Sequence, residues 1–142
     1  MFLGEYDHSI DQKGRIAIPA RLRDSFEQGA VLSRGFEKCI MVYPLAEWNR
    51  VAEKLAALPA TQSKVRRINR STFSSAFQQE LDRQGRVLIP PQLRDYAGIN
   101  GDVVVVGANT YLEIWSKEEW AAERANLATE AWQLAESVEA WR

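Results

Sequence analysis

The sequence has too little cysteine and histidine for the common disulfide frameworks and metal sites. Cys39 is the single cysteine and His8 the single histidine among 142 residues. An internal disulfide is therefore impossible, and a zinc site with four nitrogen or sulfur ligands cannot be assembled. We expect no metal and no other cofactor. A lone Cys or His in a strand is usually packed or solvated, which also disfavours nucleophilic catalysis.

Other absences narrow the class of protein. No apolar run approaches the ~20 residues that span a bilayer, and the N-terminal stretch MFLGEYDHSI carries acids where a secretory signal carries bases. The phosphate-binding motifs G-x-x-x-x-G-K-[ST] and G-x-G-x-x-G are both missing. We expect a soluble protein of the cytoplasm that is not an enzyme and that binds neither a membrane nor a small-molecule substrate.

The formal net charge is only −1, but the charge is unevenly distributed. Residues 1–94 hold 15 Lys and Arg against 10 Asp and Glu, whereas residues 95–142 hold 3 against 9. This asymmetry suggests a basic face that could contact a polyanion and an acidic end held away from it. Ordinary solvated charge explains the counts about as well.

One phrase occurs twice in this short chain. DQKGRIAIPARLR runs from Asp11 to Arg23, and DRQGRVLIPPQLR runs from Asp82 to Arg94. In each copy the Asp enters a three-residue connection whose Gly can adopt the left-handed conformation, and alternating apolar residues follow. The pattern predicts a hairpin, ended by a proline that begins a short helix. Two copies predict two equivalent surfaces.

The repeat extends beyond the phrase. Two further β-rich runs around a Gly-containing turn follow each copy, and the resulting units of roughly 45 residues are too small to fold comfortably alone. Between them, helical spacing on both sides of Pro59 predicts two helices. The predicted organisation is a first domain over 5–47, a helical connector over 48–75, a second domain over 76–119 and a C-terminal helix over 120–142. The connector also carries a basic run, which is more often a solvated helix face than a ligand site: Lys64, Arg66, Arg67 and Arg70.

The duplicated D-x-x-G-R-x-x-I-P-x-x-L-R phrase resembles the SpoVT/AbrB family of swapped-hairpin domains, and its duplication resembles the MraZ family of bacterial regulators. The resemblance covers nearly the whole chain. It implies an α+β fold, a duplicated AbrB-like swapped-hairpin β-barrel whose halves form a pseudo-dimer within one chain. It further implies a ring-like homo-oligomer, associated with the nucleoid, that binds double-stranded DNA at short promoter direct repeats upstream of the division and cell wall gene cluster.

The resemblance also points to an Asp-x-x-x-Arg pair in each copy as the DNA-reading element: Asp11 with Arg15, and Asp82 with Arg86. A two-stranded ribbon fits the major groove, where an Arg at its tip can make a bidentate contact to guanine. The Asp can hold that guanidinium in place. The alternative is an exposed ion pair across each turn, worth roughly 0–1 kcal/mol. The predicted DNA-binding set is completed by Lys13 and Arg83 at the loops and by Arg23 and Arg94 at the ends of the phrases.

Two questions stay open at the level of sequence. AbrB-like hairpins also occur in antitoxins, so an antitoxin or another protein-interaction module is an alternative to a DNA-binding regulator. The C-terminal helix carries a heptad-like seam that could pack on the chain's own body or on a neighbouring subunit. The seam positions are Trp120, Arg124, Leu127, Ala131, Leu134, Val138 and Trp141.

Overall fold

The computed structural model describes residues 1–138, which combine β-strands with helices. The strands are β1 Glu5–Ser9, β2 Arg15–Ala17, β3 Ala30–Arg34, β4 Ile40–Pro44, β5 Phe77–Gln79, β6 Arg86–Leu88, β7 Asp102–Gly107 and β8 Leu112–Ser116. The helices are a 3-10 helix Ala20–Phe26, α1 Leu45–Ala56, α2 Ser63–Ser74, α3 Pro91–Ala97 and α4 Lys117–Ser137. The α+β class predicted from the sequence is confirmed. No helix of residues 1–138 is both long and apolar enough to cross a membrane.

The two copies of the repeat exchange strands. β1 of the first copy pairs with β7 of the second, and β5 of the second copy pairs with β3 of the first, each in antiparallel register. β2 and β6, which follow the two loops, pair with each other. The tight turns form as the sequence predicts, but the strands beside them pair across the copies. Neither copy has a complete set of strand partners without the other.

The hydrogen-bonded strands of residues 1–138 do not close a barrel. They form one antiparallel sheet of six strands, in the order β1-β7-β8-β4-β3-β5, and a separate two-stranded ribbon, β2-β6. β2 and β6 are only three residues long, and Pro19 and Pro90 follow close behind them. Proline cannot donate to a strand ladder, so the ribbon stays short and isolated from the sheet.

The ribbon and the sheet enclose one core that both copies supply. The inward side chains of the ribbon, Ile16 and Val87, are fully buried, as are Ile18 and Ile89 immediately beyond them. They belong to the same cluster as residues of the sheet and of α3, including Leu32, Leu93 and Leu112. Burying a side chain of this size contributes roughly 1.5–3 kcal/mol. The core therefore fixes which face of the ribbon points outward.

The seam predicted on the C-terminal helix divides into two parts. Trp120 packs on Trp115, with ring centroids 5.6 Å apart, and Arg124 Nη1 lies 3.2 Å from Glu5 Oε1. Both contacts are made with the chain's own body. Further along, the side chains of Leu127, Ala131, Leu134 and Val138 are exposed, and no residue of α4 is buried. Trp141 lies outside the described residues.

Candidate nucleic-acid interface

The first loop is held together by the carboxylate of Asp11. Its Oδ1 accepts the backbone N–H groups of Lys13 and Arg15, each at 2.9 Å, and its Oδ2 accepts Nε of Arg15 at 2.8 Å. Gly14 completes the turn with φ +82°, the left-handed conformation that glycine adopts without strain. One Asp thus fixes both the backbone of the turn and the direction of the Arg15 side chain.

The second loop repeats these bonds. Asp82 Oδ1 accepts the backbone N–H groups of Gln84 and Arg86 at 2.9 Å, and its Oδ2 accepts Nε of Arg86 at 2.9 Å. Gly85 has φ +75°. The repeated phrase in the sequence therefore corresponds to two loops with the same hydrogen bonds.

The two loops meet in one cluster of four charges, which we name the loop cluster: Asp11, Arg15, Asp82 and Arg86. Arg15 Nη1 lies 3.8 Å from Asp82 Oδ2, and Arg86 Nη1 lies 3.7 Å from Asp11 Oδ2. Each guanidinium is thus close to the carboxylates of both copies. The four side chains are 25–33% exposed, so the cluster is only partly covered by protein.

The hydrogen bonds of the loops keep both carboxylates ionised. The backbone N–H of Arg15 is the largest cause that lowers the pKa of Asp11, and the side chain of Arg15 adds to it. Arg86 lowers the pKa of Asp82 in the same way. At neutral pH the cluster therefore holds two anions that orient two cations.

The outward face of the ribbon carries the two arginines and two apolar side chains. Arg15 is opposite Leu88 in the strand register, and Ala17 is opposite Arg86. We predicted an Arg at the tip of each loop, but Arg15 and Arg86 are the first residues of β2 and β6, behind the tips. The strand ladder and the Asp hydrogen bond hold them there. The exposed tip residues are Gln12 and Lys13 in one loop and Arg83 and Gln84 in the other.

Three residues of this surface were not predicted: Gln12, Gln84 and Leu88. Leu88 is 47% exposed although it stands between the buried Val87 and Ile89. Strict strand alternation in RVLI would have assigned it to the outward face. The two glutamines carried no such signal, because an amide in a turn is also a common solvated residue.

Arg23 and Arg94 each lie against the loop of the opposite copy. Arg23 packs directly over Gly85, and its Nε donates to the carbonyl of Ile18 at 2.9 Å. The guanidinium carbon of Arg94 is 3.3 Å from the place that a Cβ on Gly14 would occupy. Arg94 Nε is buried and has no hydrogen-bond partner within residues 1–138. Each arginine therefore packs against the loop of the other copy.

The basic run of the connector lies on α2, a different element from the ribbon. Lys64, Arg66, Arg67 and Arg70 are all exposed. Arg66 Nη1 donates to the carbonyls of Ala60 and Thr61 at 2.9 and 3.1 Å, which ties the start of α2 to the turn before it. One of the four bases therefore has a structural contact of its own.

The side chains that catalysis would need are poorly placed for it. Cys39 is fully buried, and burial is the main cause that raises the pKa of its thiol, the opposite of what a nucleophilic Cys requires. His8 lies on β1, and Cys39 immediately precedes β4. In the sheet, β7 and β8 lie between these two strands. At about 4.8 Å per strand, the two residues stand on strands roughly 14 Å apart.

One group of side chains could hold a cation. Ligand atoms of Glu37, Cys39 and Glu113 lie within 4.8 Å of one another. Burial is the largest cause that raises the pKa of Glu113, while the indole N–H of Trp115 donates to its carboxylate at 3.1 Å. The group lies at β4 and β8 of the six-stranded sheet, which are different elements from the ribbon.

Comparison with known proteins matches both halves of the chain to one family. The family model described as "MraZ protein, putative antitoxin-like" matches residues 1–71 and again residues 72–137. Three similar relatives are each named Transcriptional regulator MraZ. The protein of Dehalococcoides mccartyi is 46% identical over 140 residues, 98% of this chain and 99% of the relative. That of Thermomicrobium roseum is 46% identical over 138 residues, 97% of each chain. That of Herpetosiphon aurantiacus is 45% identical over 141 residues, 99% of each chain.

These matches span nearly the full length of this chain and of its relatives. They also confirm the resemblance to the MraZ family, and the boundary between the two matched halves falls within α2. The chain belongs to the MraZ family.

Proposed function

We propose that this protein is a sequence-specific DNA-binding transcriptional regulator of the cytoplasm, associated with the nucleoid. It binds short direct repeats upstream of the division and cell wall gene cluster as a ring-like homo-oligomer. The names of its relatives support the regulatory role. They denote a regulator and not a class of enzyme. The observation that carries the DNA-binding proposal is the meeting of two Asp-x-x-x-Arg loops on the outward face of one ribbon.

The geometry of the arginines suits guanine. In each loop the Asp accepts from Nε, so one edge of the guanidinium is held while the terminal nitrogens, Nη1 and Nη2, keep N–H groups for a ligand. Two parallel N–H donors match O6 and N7 of guanine in the major groove. Because the Asp already fixes the side chain, less rotamer entropy is lost when DNA binds. Asp11 and Asp82 thus act as positioning residues for Arg15 and Arg86.

The rest of the outward face supplies contacts of other kinds. Lys13 and Arg83 at the loop tips bind phosphates and set the register of the ribbon on the duplex. The amides of Gln12 and Gln84 can pair with adenine, and Leu88 can contact a thymine methyl group. Since the first tip carries Gln-Lys and the second Arg-Gln, the two loops need not read the same bases. Arg23 and Arg94 complete the DNA-binding set as cations beside the loops, and each also packs against the glycine of the opposite loop.

The finer description of the fold also belongs to this proposal. The exchange of β1 and β5 between the copies supports two interleaved AbrB-like swapped hairpins that form a pseudo-dimer. We divide the chain into domains at 5–47 and 76–119, with the connector at 48–75 and the C-terminal helix from 120. Proteolysis in the connector tests the interleaving. We expect the cleaved halves to stay associated and to unfold together, and two fragments that separate and fold independently would contradict the pseudo-dimer.

The test uses DNA from upstream of the protein's own gene and a scrambled duplex of equal composition. Fluorescence anisotropy should give tighter binding to the native sequence, and Arg15→Ala/Arg86→Ala should abolish that preference. The matched control is Arg50→Ala/Arg124→Ala, which removes two other exposed arginines that pair with Glu47 and Glu5. Equal affinity of the wild type for the two duplexes, or a preference that survives the Arg15/Arg86 double change, would contradict the proposal.

A second candidate function is favoured by one observation, the antitoxin-like description of the matching family. An antitoxin would bind a small toxin protein in stoichiometric amount. Mass spectrometry of the intact protein purified from its own host distinguishes the two. A second small chain in equal amount supports the antitoxin, and the single 16.1 kDa chain supports the regulator.

A further inference from the structure

The two copies of the repeat differ in how their first long helix is covered. In the first copy, Trp48 of α1 packs between Tyr43 and Phe73 of α2, with ring centroids 5.4 and 5.6 Å apart. In the second copy, Trp120 of α4 packs on Trp115 in the equivalent place. No second helix follows α4 within residues 1–138, so nothing there plays the part of α2. The indole N–H of Trp120 is buried without a hydrogen-bond partner among those residues.

The exposed part of α4 carries large apolar side chains. Trp132 is 82% exposed, Val138 53%, Leu134 47% and Leu127 37%. At about 100° per residue, Trp132 stands roughly 140° around the helix from Leu127. Ala128 and Ala135 fall between them, so the apolar arc covers nearly half of the helix. An arc of this width exceeds a narrow two-helix seam and suits a groove with two walls.

The same chain has such a groove between α1 and α2. It encloses about 370 Å³. Trp48, Val51 and Leu55 form the α1 wall and Ile68 lies on the α2 wall, which makes the groove predominantly apolar. Phe36, from the connection between β3 and β4, stands at its edge and is 91% exposed. An apolar surface of this kind marks an interaction site.

The charges of the groove and the helix are complementary. Arg34 and Lys54 are the charged residues that line the groove, and both are basic. α2 adds four Lys and Arg and no acid, although these four bases lie outside the lining. Residues 125–137 of α4 carry two Glu and no base. Opposite charges around an apolar contact guide the encounter and select the orientation.

A chain cannot place α4 in its own groove. The start of α4 is fixed on β7 and β8 by Trp120, and Arg124 ties it to Glu5 on β1, at one edge of the sheet. The groove lies beside β3 and β4, in the other half of that sheet. The helix therefore runs toward the β1 edge and away from the groove, so α4 does not fill the groove of its own chain.

We propose that residues 125–138 of α4 dock in the groove between α1 and α2 of a second copy of this chain. Each subunit then gives a helix to one neighbour and receives a helix from another. Such a head-to-tail contact generates a ring when the rotation closes. The inference deepens the proposed function because it rests on the homo-oligomer and assigns its contact surfaces.

The first experiment changes each side of the contact in the full-length protein. Leu127→Glu/Leu134→Glu disrupts the helix side, and Ile68→Glu disrupts the groove side. All three side chains are at least one-third exposed, so the monomer should stay folded. Asn126→Glu/Gln133→Glu is the matched control, since it adds the same charge at the same spacing on the polar arc. Light scattering should give single chains for the two disrupting variants and the wild-type mass for the control.

Mixing provides the sharper readout. The helix variant keeps a good groove and the groove variant keeps a good helix, so a mixture should form a complex of two chains with one intact contact. A symmetric contact that uses the same patch on both subunits would give no such complex. A wild type that remains a single chain, disrupting variants that keep the wild-type mass, or a mixture that stays monomeric would each overturn the proposal.

A disulfide measurement covers the case in which a disrupting variant fails to fold. Ala131→Cys and Ser71→Cys chains are mixed and oxidised, with an Ala131→Cys and Arg50→Cys mixture as the control. Preferential cross-linking of residue 131 to residue 71 supports the contact, and equal cross-linking in the two mixtures contradicts it. Wild-type affinity for the native and scrambled duplexes is measured separately. If the protein is a regulator that assembles by another surface, it binds the native duplex but shows no preferential cross-link. If the helix contact exists in a protein that binds no DNA, the cross-link forms but the two duplexes are not distinguished.

Discussion

Arg23 packs directly against Gly85, although the two residues belong to different copies of the repeated phrase. Arg94 packs against Gly14 in the same way, and its guanidinium carbon lies 3.3 Å from the position that a Cβ on Gly14 would occupy. Each phrase therefore ends in an arginine that supports the loop of the other phrase. The glycines of the loops serve two purposes, because they take a left-handed backbone and leave room for a guanidinium. This arrangement makes the two loops depend on each other.

Gly85→Ala should destabilise the fold more than Gly98→Ala. Both glycines have positive φ, +75° and +66°, so each alanine costs about 1–2 kcal/mol for the left-handed backbone. Gly98 has no atom within 4 Å of the new Cβ, whereas at Gly85 the Cβ would collide with Arg23. The difference between the two urea-unfolding free energies measures this close approach. Equal losses for the two variants would mean that Arg23 moves aside freely.

Acid should weaken the loop cluster. Hydrogen bonds from Arg15 and Arg86 lower the folded-state pKa values of Asp11 and Asp82 below the ordinary value of 3.8. A lowered carboxyl pKa adds stability that is complete above the unfolded pKa and is lost as pH falls through the folded pKa. The midpoint of thermal unfolding should therefore decline below about pH 4.

Amide variants test the source of this decline. Asp11→Asn/Asp82→Asn should lower the melting temperature at neutral pH and flatten its fall in acid. Asp95→Asn, at an exposed carboxylate of α3, is the control and should follow the wild-type curve. An acid decline that is unchanged in the double variant would assign it to other groups.

The local parts of this site could be predicted from the sequence, and the long-range parts could not. Asp, Gly and Arg at fixed spacing define the turn through bonds within four residues, such as Asp11 to Arg15. Strand pairing cannot be predicted in this way. The alternation of inward and outward side chains along β1 is compatible with β2 as its neighbour and equally with β7. The choice of β7 depends on the shared core of the two copies. The approach of Arg15 to Asp82 follows from that choice, so the sequence pattern alone did not contain it.

The exposed charges could be counted from the sequence but not located. The turn before Arg15 predicts a place at the tip, yet the ladder between β2 and β6 holds Arg15 behind Gln12 and Lys13. Arg23 and Arg94 stay predicted DNA contacts, and the structure adds that each packs against the glycine of the opposite loop. The location of a long cationic side chain depends on its tertiary neighbours.

The affinity for DNA should fall with salt, and individual lysines should contribute unequally to that fall. A chain of net charge −1 has to concentrate its phosphate contacts in a few side chains. Lys13→Gln, at a loop tip, should reduce the slope of log affinity against log salt by about 1. Lys64→Gln, on α2, removes the same charge away from the ribbon and should leave the slope unchanged.

Anisotropy titrations between about 50 and 300 mM salt cover the range in which ~6 released counterions are measurable. A flat response of the wild type would contradict a phosphate-based contact. A larger change for Lys64→Gln than for Lys13→Gln would move the DNA surface from the loop tips to α2.

Deleting residues 130–142 should separate folding from assembly. The deleted segment begins after the contacts that Trp120 and Arg124 make with the body of the chain, and no residue of α4 is buried. The free energy of unfolding of the single chain should therefore change by no more than about 0.5 kcal/mol. The assembly, in contrast, should dissociate, because Trp132, Leu134 and Val138 are removed from its contact. The loop cluster is untouched, so the truncated chain should still bind DNA at low salt, with the lower affinity of a single copy that has lost multivalency.

Circular dichroism, light scattering and anisotropy on one preparation measure the stability, the assembly and the DNA affinity of the truncated chain. Aggregation of the truncated chain would assign the helix to the chain's own core, and an intact assembly that has lost all affinity for DNA would place the DNA-binding surface in the acidic tail.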